Sequence, residues 1–341
     1  MQKITERNLK VFQEQYSFDK SNYNIIVSGI NGSGKYQFVE YIIKDYFKKN
    51  SIHCPTDILS HPDVYYVSLP LYDKAGKQQK IISNNERLLY EFGFEEKIEG
   101  NRVGSEITVD QIRALSEFTS MTSTHKHKII IINNCKFLNK GATAALLKTL
   151  EETNSNSIFF LLTSDKRHLE DTILSRCHNF NYLIDDENFE GETFYDYYMS
   201  LVPRINEVVA DTDYMADFSK IENELKLMFE KKINPMELSE SWRLRGDILI
   251  DYLLTFFAIL LKGRYLAQGC PIQKLYQSLY DNISLSPERA VKISRFLIEC
   301  KKELDTNINK KFFVTNGPNS VATIAIDMPS MPYIFPFLAD S

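Results

Sequence analysis

Cysteine is scarce and scattered in this chain: five residues, at positions 54, 135, 177, 270 and 300, odd in number and without paired spacing. That pattern excludes a disulfide framework or a zinc knuckle and fits reduced thiols. Long apolar runs are missing too. The greasiest stretch, Ile248–Leu261, falls short of the about 20 residues a membrane helix needs, and the opening MQKITERNLKVFQEQ has no apolar signal core. The expected location is therefore the cytoplasm, with no membrane contact. A surplus of positive charge is also absent. Forty Lys and Arg against 45 Asp and Glu leave a net charge of −5, which argues against a broad nucleic-acid-binding surface and makes protein partners the default. At 341 residues the chain is long enough for two or three domains and needs no covalent staple to hold a core.

What is present is an alternation of strands and helices. From Lys128 to Cys177 the chain reads strand, helix, strand, short helix, then Ser175-Arg176-Cys177. The two apolar runs are continuous, as in parallel strands buried on both faces. Between them Ala144, Leu147 and Leu150, with Ala145 and Leu146 beside them, form one apolar helix face, which Thr153–Asn156 stops. Ligands of such sheets lie outside the carboxyl ends of the strands, here Asn133-Asn134 and Thr163-Ser164-Asp165. Earlier, residues 1–22 form an amphipathic helix with Leu9, Phe12 and Tyr16 on one side. Tyr23–Ser28 is a buried strand, and Phe38, Val39, Ile42, Ile43 and Tyr46 recur at helical spacing. Thr108 caps a helix with Ile112, Leu115 and Phe118 inward. Four strands alternating with helices predict a three-layer α/β domain over about residues 1–180. The polar run 72–106 reads as an insertion or mobile excursion with no assignable chemistry. After the acidic stretch Asp185–Glu192 the pattern is helical to about Asn309, and a tail with four prolines follows Gly317. Trp242, Tyr252, Phe256 and Phe257 lie at helical spacing, the pattern of a core more than of a base-stacking platform.

Gly29-Ile-Asn-Gly32-Ser-Gly34-Lys35-Tyr36 sits between a strand and a helix, the context a phosphate loop requires. In such loops the amides surround phosphates, the lysine meets the terminal ones, and a final Ser or Thr hydroxyl holds Mg²⁺. Only the last position departs, being Tyr36, so nucleotide would bind weakly or without productive metal. An active ATPase also ends its second motif strand in carboxylates that hold the metal shell and polarise water. Asn133 and Asn134 stand at that place, and an amide can neither carry the charge nor act as a base; a merely polar strand end would look the same. An arginine projecting as Arg176 does can stabilise a phosphoryl group in a neighbour's site, although a lone surface arginine is more often a solvated ion-pair partner. His53, Cys54 and His61 match no zinc spacing.

Together, His61-Pro-Asp63, Ile107-Thr-Val-Asp110-Gln-Ile112-Arg113, Ala144–Glu152, Phe159-Phe-Leu and Ser175-Arg176-Cys177 give the chain a family likeness. It resembles the delta-prime subunits of the bacterial DNA polymerase III clamp loader. The likeness is dense over 107–177, moderate over 23–70 and faint near Leu285–Thr315. The resemblance implies an AAA+ P-loop α/β domain (1–180), a short helical lid or linker (181–215) and an all-α collar domain (216–341). It further implies a stator subunit, a degenerate ATPase, working beside gamma/tau and delta subunits to load the sliding clamp on primer-template DNA. Carried over by motif, Arg176 becomes the arginine finger on the neighbouring gamma/tau ATP. No cofactor is required on this reading, with at most weak ATP or ADP binding at Gly29, Gly32, Gly34 and Lys35. Family members usually carry four cysteines near residues 49–60, where only Cys54 remains, so no zinc is expected. The run 72–106 is longer, and the stretch after Tyr182 shorter, than the family pattern. Two other readings stay open: an autonomous P-loop ATPase or nucleotide kinase with an atypical metal shell at Lys35, and a scaffold whose loop binds nothing.

Overall fold

The computed structural model describes residues 6–20, 22–92, 97–151, 156–184, 189, 191, 193–209, 218–230, 232–233, 246–262, 271–282 and 286–306. Two compact units divide the chain, 1–185 with 201–205 and 186–200 with 206–341. Most of the acidic stretch after Tyr182, Trp242, Cys270 and the proline-bearing tail lie outside the described residues.

The first unit is built on a sheet of five parallel strands, one more than the alternation suggests. These are β1 (Asn22–Ser28), β2 (Val64–Val67), β7 (Lys128–Ile132), β8 (Ser157–Thr163) and β9 (His178–Asn181), in the order β2-β7-β8-β1-β9. Register is continuous, with Asn22 beside Ser157 and Ser28 beside Thr163, so β1 and β8 end level. Side chains alternate between faces. Ile25 and Val27 of β1, Ile129 and Ile131 of β7 and Phe160 of β8 meet α1 (Glu6–Gln15) and α2 (Lys35–Lys49) on one side. Ile26, Ile130, Ile132, Phe159 and Leu161 meet α4 (Val109–Ser120) and α5 (Lys140–Glu151) on the other. Phe12 of α1 is wedged edge-on against Phe38 at 5.5 Å and Phe180 at 5.2 Å. Each such fully buried side chain is worth about 1.5–3 kcal/mol of transfer free energy. Continuous apolar strands between two helical layers make the three-layer α/β arrangement the only way to keep both faces from water.

Two readings need correction. The buried face of α5 is Ala142, Thr143, Leu146, Thr149 and Leu150, while Ala144 is exposed and Leu147 half-buried. An Ala- and Leu-rich helix is apolar on more than one side, and packing, not composition, selects the side. The described residues of the run 72–106 form regular structure, not an excursion. It supplies most of a second, antiparallel sheet of β3 (Pro70–Tyr72), β4 (Gln78–Ile81), β5 (Lys97–Ile98) and β6 (Asn101–Val103), ordered β4-β3-β6-β5. Of its apolar residues Ile82, Ile98 and Val103, with Leu71 beside them, go into the core on the α4 side of the main sheet. Between β4 and β5 stands α3 (Asn84–Glu91). A capping box starts α3: Ser83 N–H donates to Glu86 Oε2 at 2.6 Å and Glu86 N–H to Ser83 Oγ at 3.3 Å.

In the second unit all regular structure among the described residues is helical: α7 (Phe194–Leu201), the end of α8 (Pro203–Val209), α9 (Phe218–Phe229), α10 (Gly246–Lys262), α11 (Pro271–Asn282) and α12 (Pro287–Thr306). Tyr252, Phe256 and Phe257 of α10 are fully buried, and Phe194 meets Tyr252 and Phe256 edge-on at 4.8 and 5.0 Å. They are core, which removes them as a base-stacking platform. No described helix is long and apolar enough to cross a membrane.

Candidate phosphate-loop site

The glycine loop follows β1 directly and turns into α2, with Gly32 (φ +76°) and Gly34 (φ +101°) in the left-handed region that glycine adopts without strain. Lys35 is buried and bends back on its own loop, its Nζ donating to the carbonyls of Gly29 and Ile30 at 2.8 Å each. Burial, helped by the Arg87 guanidinium and opposed by Glu91, brings the Lys35 ammonium down to about 7. Tyr36 does not stand in for the missing hydroxyl. Its ring turns into the core and meets Tyr66 of β2 edge-on at 5.9 Å, and burial pushes its phenol well up.

The space around the loop is taken by the chain itself. A side chain at Gly32 would meet Ile205 Cγ1 and Cδ1 at 2.8 Å, and Arg204 N–H donates to the Gly32 carbonyl at 3.1 Å. At Gly29 a side chain would meet the Tyr182 carbonyl at 2.8 Å, and Tyr182 N–H closes onto the Ser28 carbonyl at 2.7 Å. ATP with Mg²⁺, which a phosphate loop implies, does not fit this set of donors as they stand. The lysine is engaged, no carboxylate or short hydroxyl holds the metal position, and protein atoms pack against the glycines.

Asn133 and Asn134 are buried at the end of β7, and both amides are used. Asn133 Nδ2 donates to the Tyr66 hydroxyl at 2.9 Å and to Asn84 Oδ1 at 3.1 Å, while Asn134 Nδ2 donates to Glu91 Oε2 at 2.8 Å. Asn134 also has φ +66°, a conformation asparagine tolerates better than most residues. Two of the three acceptors, Asn84 and Glu91, come from α3, to which the sequence assigned no chemistry. Glu91 accepts a second bond from Asn31 Nδ2 at 2.6 Å and pairs with Arg87. Burial alone would raise the Glu91 pKa, but Arg87, Lys136 and the bonds from Arg87 and Asn134 outweigh it and hold the carboxyl below its usual range.

The other expected site, Thr163-Ser164-Asp165, is local scaffolding: Thr163 Oγ1 donates to the Asp165 carbonyl at 2.9 Å, and Asp165 Oδ1 accepts from Arg167 N–H at 2.9 Å. Arg176 lies elsewhere. It precedes β9, its carbonyl accepts from Asn24 Nδ2 of β1 at 3.2 Å, and its guanidinium pairs with Glu151 and donates to the Thr172 carbonyl at 2.9 Å. Asn24 is five residues before Gly29, so Arg176 sits roughly 16 Å back along the strand direction, toward the amino end of the sheet. It is exposed.

His61, Asp63 and His125 come together, with candidate ligand atoms within 4.8 Å of one another, whereas the sequence offered His53, Cys54 and His61. Every oxygen of Asp63 is engaged, accepting from Thr124 N–H at 2.8 Å, His125 N–H at 2.9 Å and His125 Nδ1 at 2.9 Å. Asp63 N–H in turn donates to His61 Nδ1 at 3.1 Å. The cluster laces the turn before β2 to the turn before β7. His125 carries no spacing signal, 62 residues from Asp63.

With this geometry in view, residues 4–183 match the protein family described as "DNA polymerase III, delta subunit". The DNA polymerase III subunit delta' of Bacillus subtilis is 25% identical over 228 residues, covering 60% of this chain and 69% of that one. That of Haemophilus influenzae is 33% identical over 90 residues, 26% of this chain and 28% of its own length. The chain thus aligns with under a third of the latter relative. A crystal structure of a DNA polymerase III gamma-subunit-related protein from Thermotoga maritima is 17% identical and covers 94% of this chain and 99% of its own, at a TM-score of 0.42, too loose to bear on function. Matched over more than half its length, the chain belongs to the DNA polymerase III delta subunit family, as a delta-prime-like clamp-loader subunit.

Proposed function

We propose that the chain is a non-hydrolysing stator of the clamp loader, its second unit supplying the lid and collar helices. On this reading it works beside gamma/tau and delta subunits to load the sliding clamp on primer-template DNA, and acts on nucleotide only through Arg176, in trans. The observation that carries this reading is the separation of the two motifs. The chain's own loop is filled by Lys35, Glu91 and Ile205, while Arg176 stands exposed, roughly 16 Å from that loop along the strands. An arginine so placed cannot reach its own loop, but it can reach a phosphate presented by a neighbour.

Its present partner does not hold it back. Arg176 and Glu151 are 39% and 49% exposed in their side chains, and pairs of that kind are worth about 0.2–1 kcal/mol. Release toward a triphosphate therefore costs little. The test is reconstitution with gamma/tau, delta and clamp. Arg176→Ala should lower turnover at the site it serves by ~10²-fold, the size of effect seen when one preorganised charge donor is removed, with the complex still assembled. Unchanged DNA-stimulated ATPase and clamp loading would refute the finger role.

A further inference from the structure

Helix α3 buries three polar side chains, Asn84, Arg87 and Glu91. Burying an ion pair is expensive, since desolvation of two charges usually exceeds their mutual attraction unless the remaining polar atoms are also satisfied. A surface hairpin gains nothing by doing so, and the partners of this pair show what it serves. One Glu91 oxygen accepts from Asn31 of the glycine loop at 2.6 Å and from Asn134 at the end of β7 at 2.8 Å. The other pairs with Arg87, which also donates to Asn31 Oδ1 at 3.4 Å and Asn84 Oδ1 at 3.3 Å. The carboxylate thus bridges the glycine loop and the tip of the second motif strand, where the terminal phosphate of a nucleotide would have to lie. Ser33 Oγ, Asn134 Oδ1 and Arg87 Nε, all buried, have no hydrogen-bond partner among the described residues, so more polarity is buried around the loop than Glu91 satisfies.

We propose that Glu91 is the resident anion of the phosphate loop, and that α3 keeps the nucleotide site closed in cis by seating a carboxylate where a phosphate would bind. Asn134 is the complementary change: an amide donates to the carboxylate, where an acidic residue would repel it. The ligand class excluded is the nucleoside di- or triphosphate. Inorganic phosphate shares its chemistry, and the two are separated below.

This deepens the non-hydrolysing reading and rests on it only for the ligand class. Equilibrium titrations of ATP, ADP and inorganic phosphate, with Mg²⁺, into the isolated full-length chain test it. Glu91→Gln removes the charge with little change of shape. Arg87→Met/Glu91→Met removes both charges, so that no unpaired ion is left buried if the single variant folds poorly. The expectation is a gain of ~10-fold or more in nucleotide affinity over the wild-type chain, reversed by adding Lys35→Ala. A gain for phosphate equal to that for ATP would support the resident-anion role with the loop as the whole site, and a larger gain for ATP would extend it to the nucleotide. Equal affinity in all three chains, or no binding in any, overturns the proposal. Magnesium-dependent ATP turnover by the wild-type chain would instead refute the silent-site reading, whatever the variants bind.

Discussion

Replacing Gly32 by alanine probes whether the loop is packed or open. The backbone there sits at φ +76°, where alanine pays about 1–2 kcal/mol. The new methyl would also lie 2.8 Å from Ile205 Cγ1 and Cδ1, and Ile205 is only 1% exposed, so neither side can give way freely. Overpacking of that kind adds about 1–3 kcal/mol. Gly32→Ala should therefore cost about 2–5 kcal/mol. The two parts separate in a double-mutant cycle. Ile205→Ala alone opens a cavity costing about 2–5 kcal/mol, yet in its presence Gly32→Ala should cost only the backbone part, leaving a coupling of about 1–3 kcal/mol. Because the chain has two units, a global denaturation curve mixes them. Hydrogen-exchange protection of the β1 and α2 amides reports the first unit alone. A coupling within about 0.5 kcal/mol of zero would mean that Ile205 does not cover the loop in solution.

Two further perturbations read the charges around the loop. Lys35 titrates near 7 in the fold and near 10.5 when unfolded, so the unfolded chain binds more protons between those values and stability should rise with pH across that window, by at most about 1.4 kcal/mol per unit. The rise ends near 10, because buried phenols such as Tyr46, pushed up to about 12, ionise first in the unfolded chain and reverse the slope. Lys35→Met should abolish the rise between pH 7 and 9.5 in urea denaturation, and persistence of the slope would assign it elsewhere. Asn134→Asp restores an acidic strand end but sets a second carboxylate beside Glu91. It should cost about 2 kcal/mol or more at pH 8. One carboxyl pKa of that pair rises in the fold, so the penalty should shrink as pH falls toward 5. Glu91→Gln in the same chain should restore most of the loss, and a pH-independent cost without rescue would show that the two side chains do not meet.

The parallel strands were legible because burial on both faces forces continuous apolar runs, and the loop because its residues are consecutive. What fills the loop was not. Asn84, Arg87 and Glu91 sit in a polar run whose composition says surface, and their burial depends on Asn31, Asn133 and Asn134, more than 40 residues away in the chain. The one usable signal was chemical: an amide pair where an ATPase needs carboxylates invites a search for the anion it could bind. The face of α5 failed for a different reason. Residues 142, 146 and 150 and residues 144 and 147 both satisfy helical spacing in an Ala–Leu run, and only the sheet decides between them.

Taken one at a time, Tyr36, Asn133 and Asn134 each depart from what the phosphate-loop pattern asks of that position. The geometry makes them parts of one construction. Tyr36 packs on Tyr66; Tyr66 takes a hydrogen bond from Asn133; Asn133 also binds Asn84 at the start of α3; and Asn134 and Asn31 hold Glu91 at its end. Changing Tyr36 alone is therefore not expected to create an ATPase, because a hydroxyl there would still face a loop whose lysine bonds its own carbonyls and, as proposed above, whose anion position is taken by Glu91. The stator role proposed above calls for such rigidity. A loop that ordered only on nucleotide binding would move with every hydrolysis cycle, whereas one clamped from within holds the five-stranded sheet, and Arg176 at its opposite end, in a single geometry.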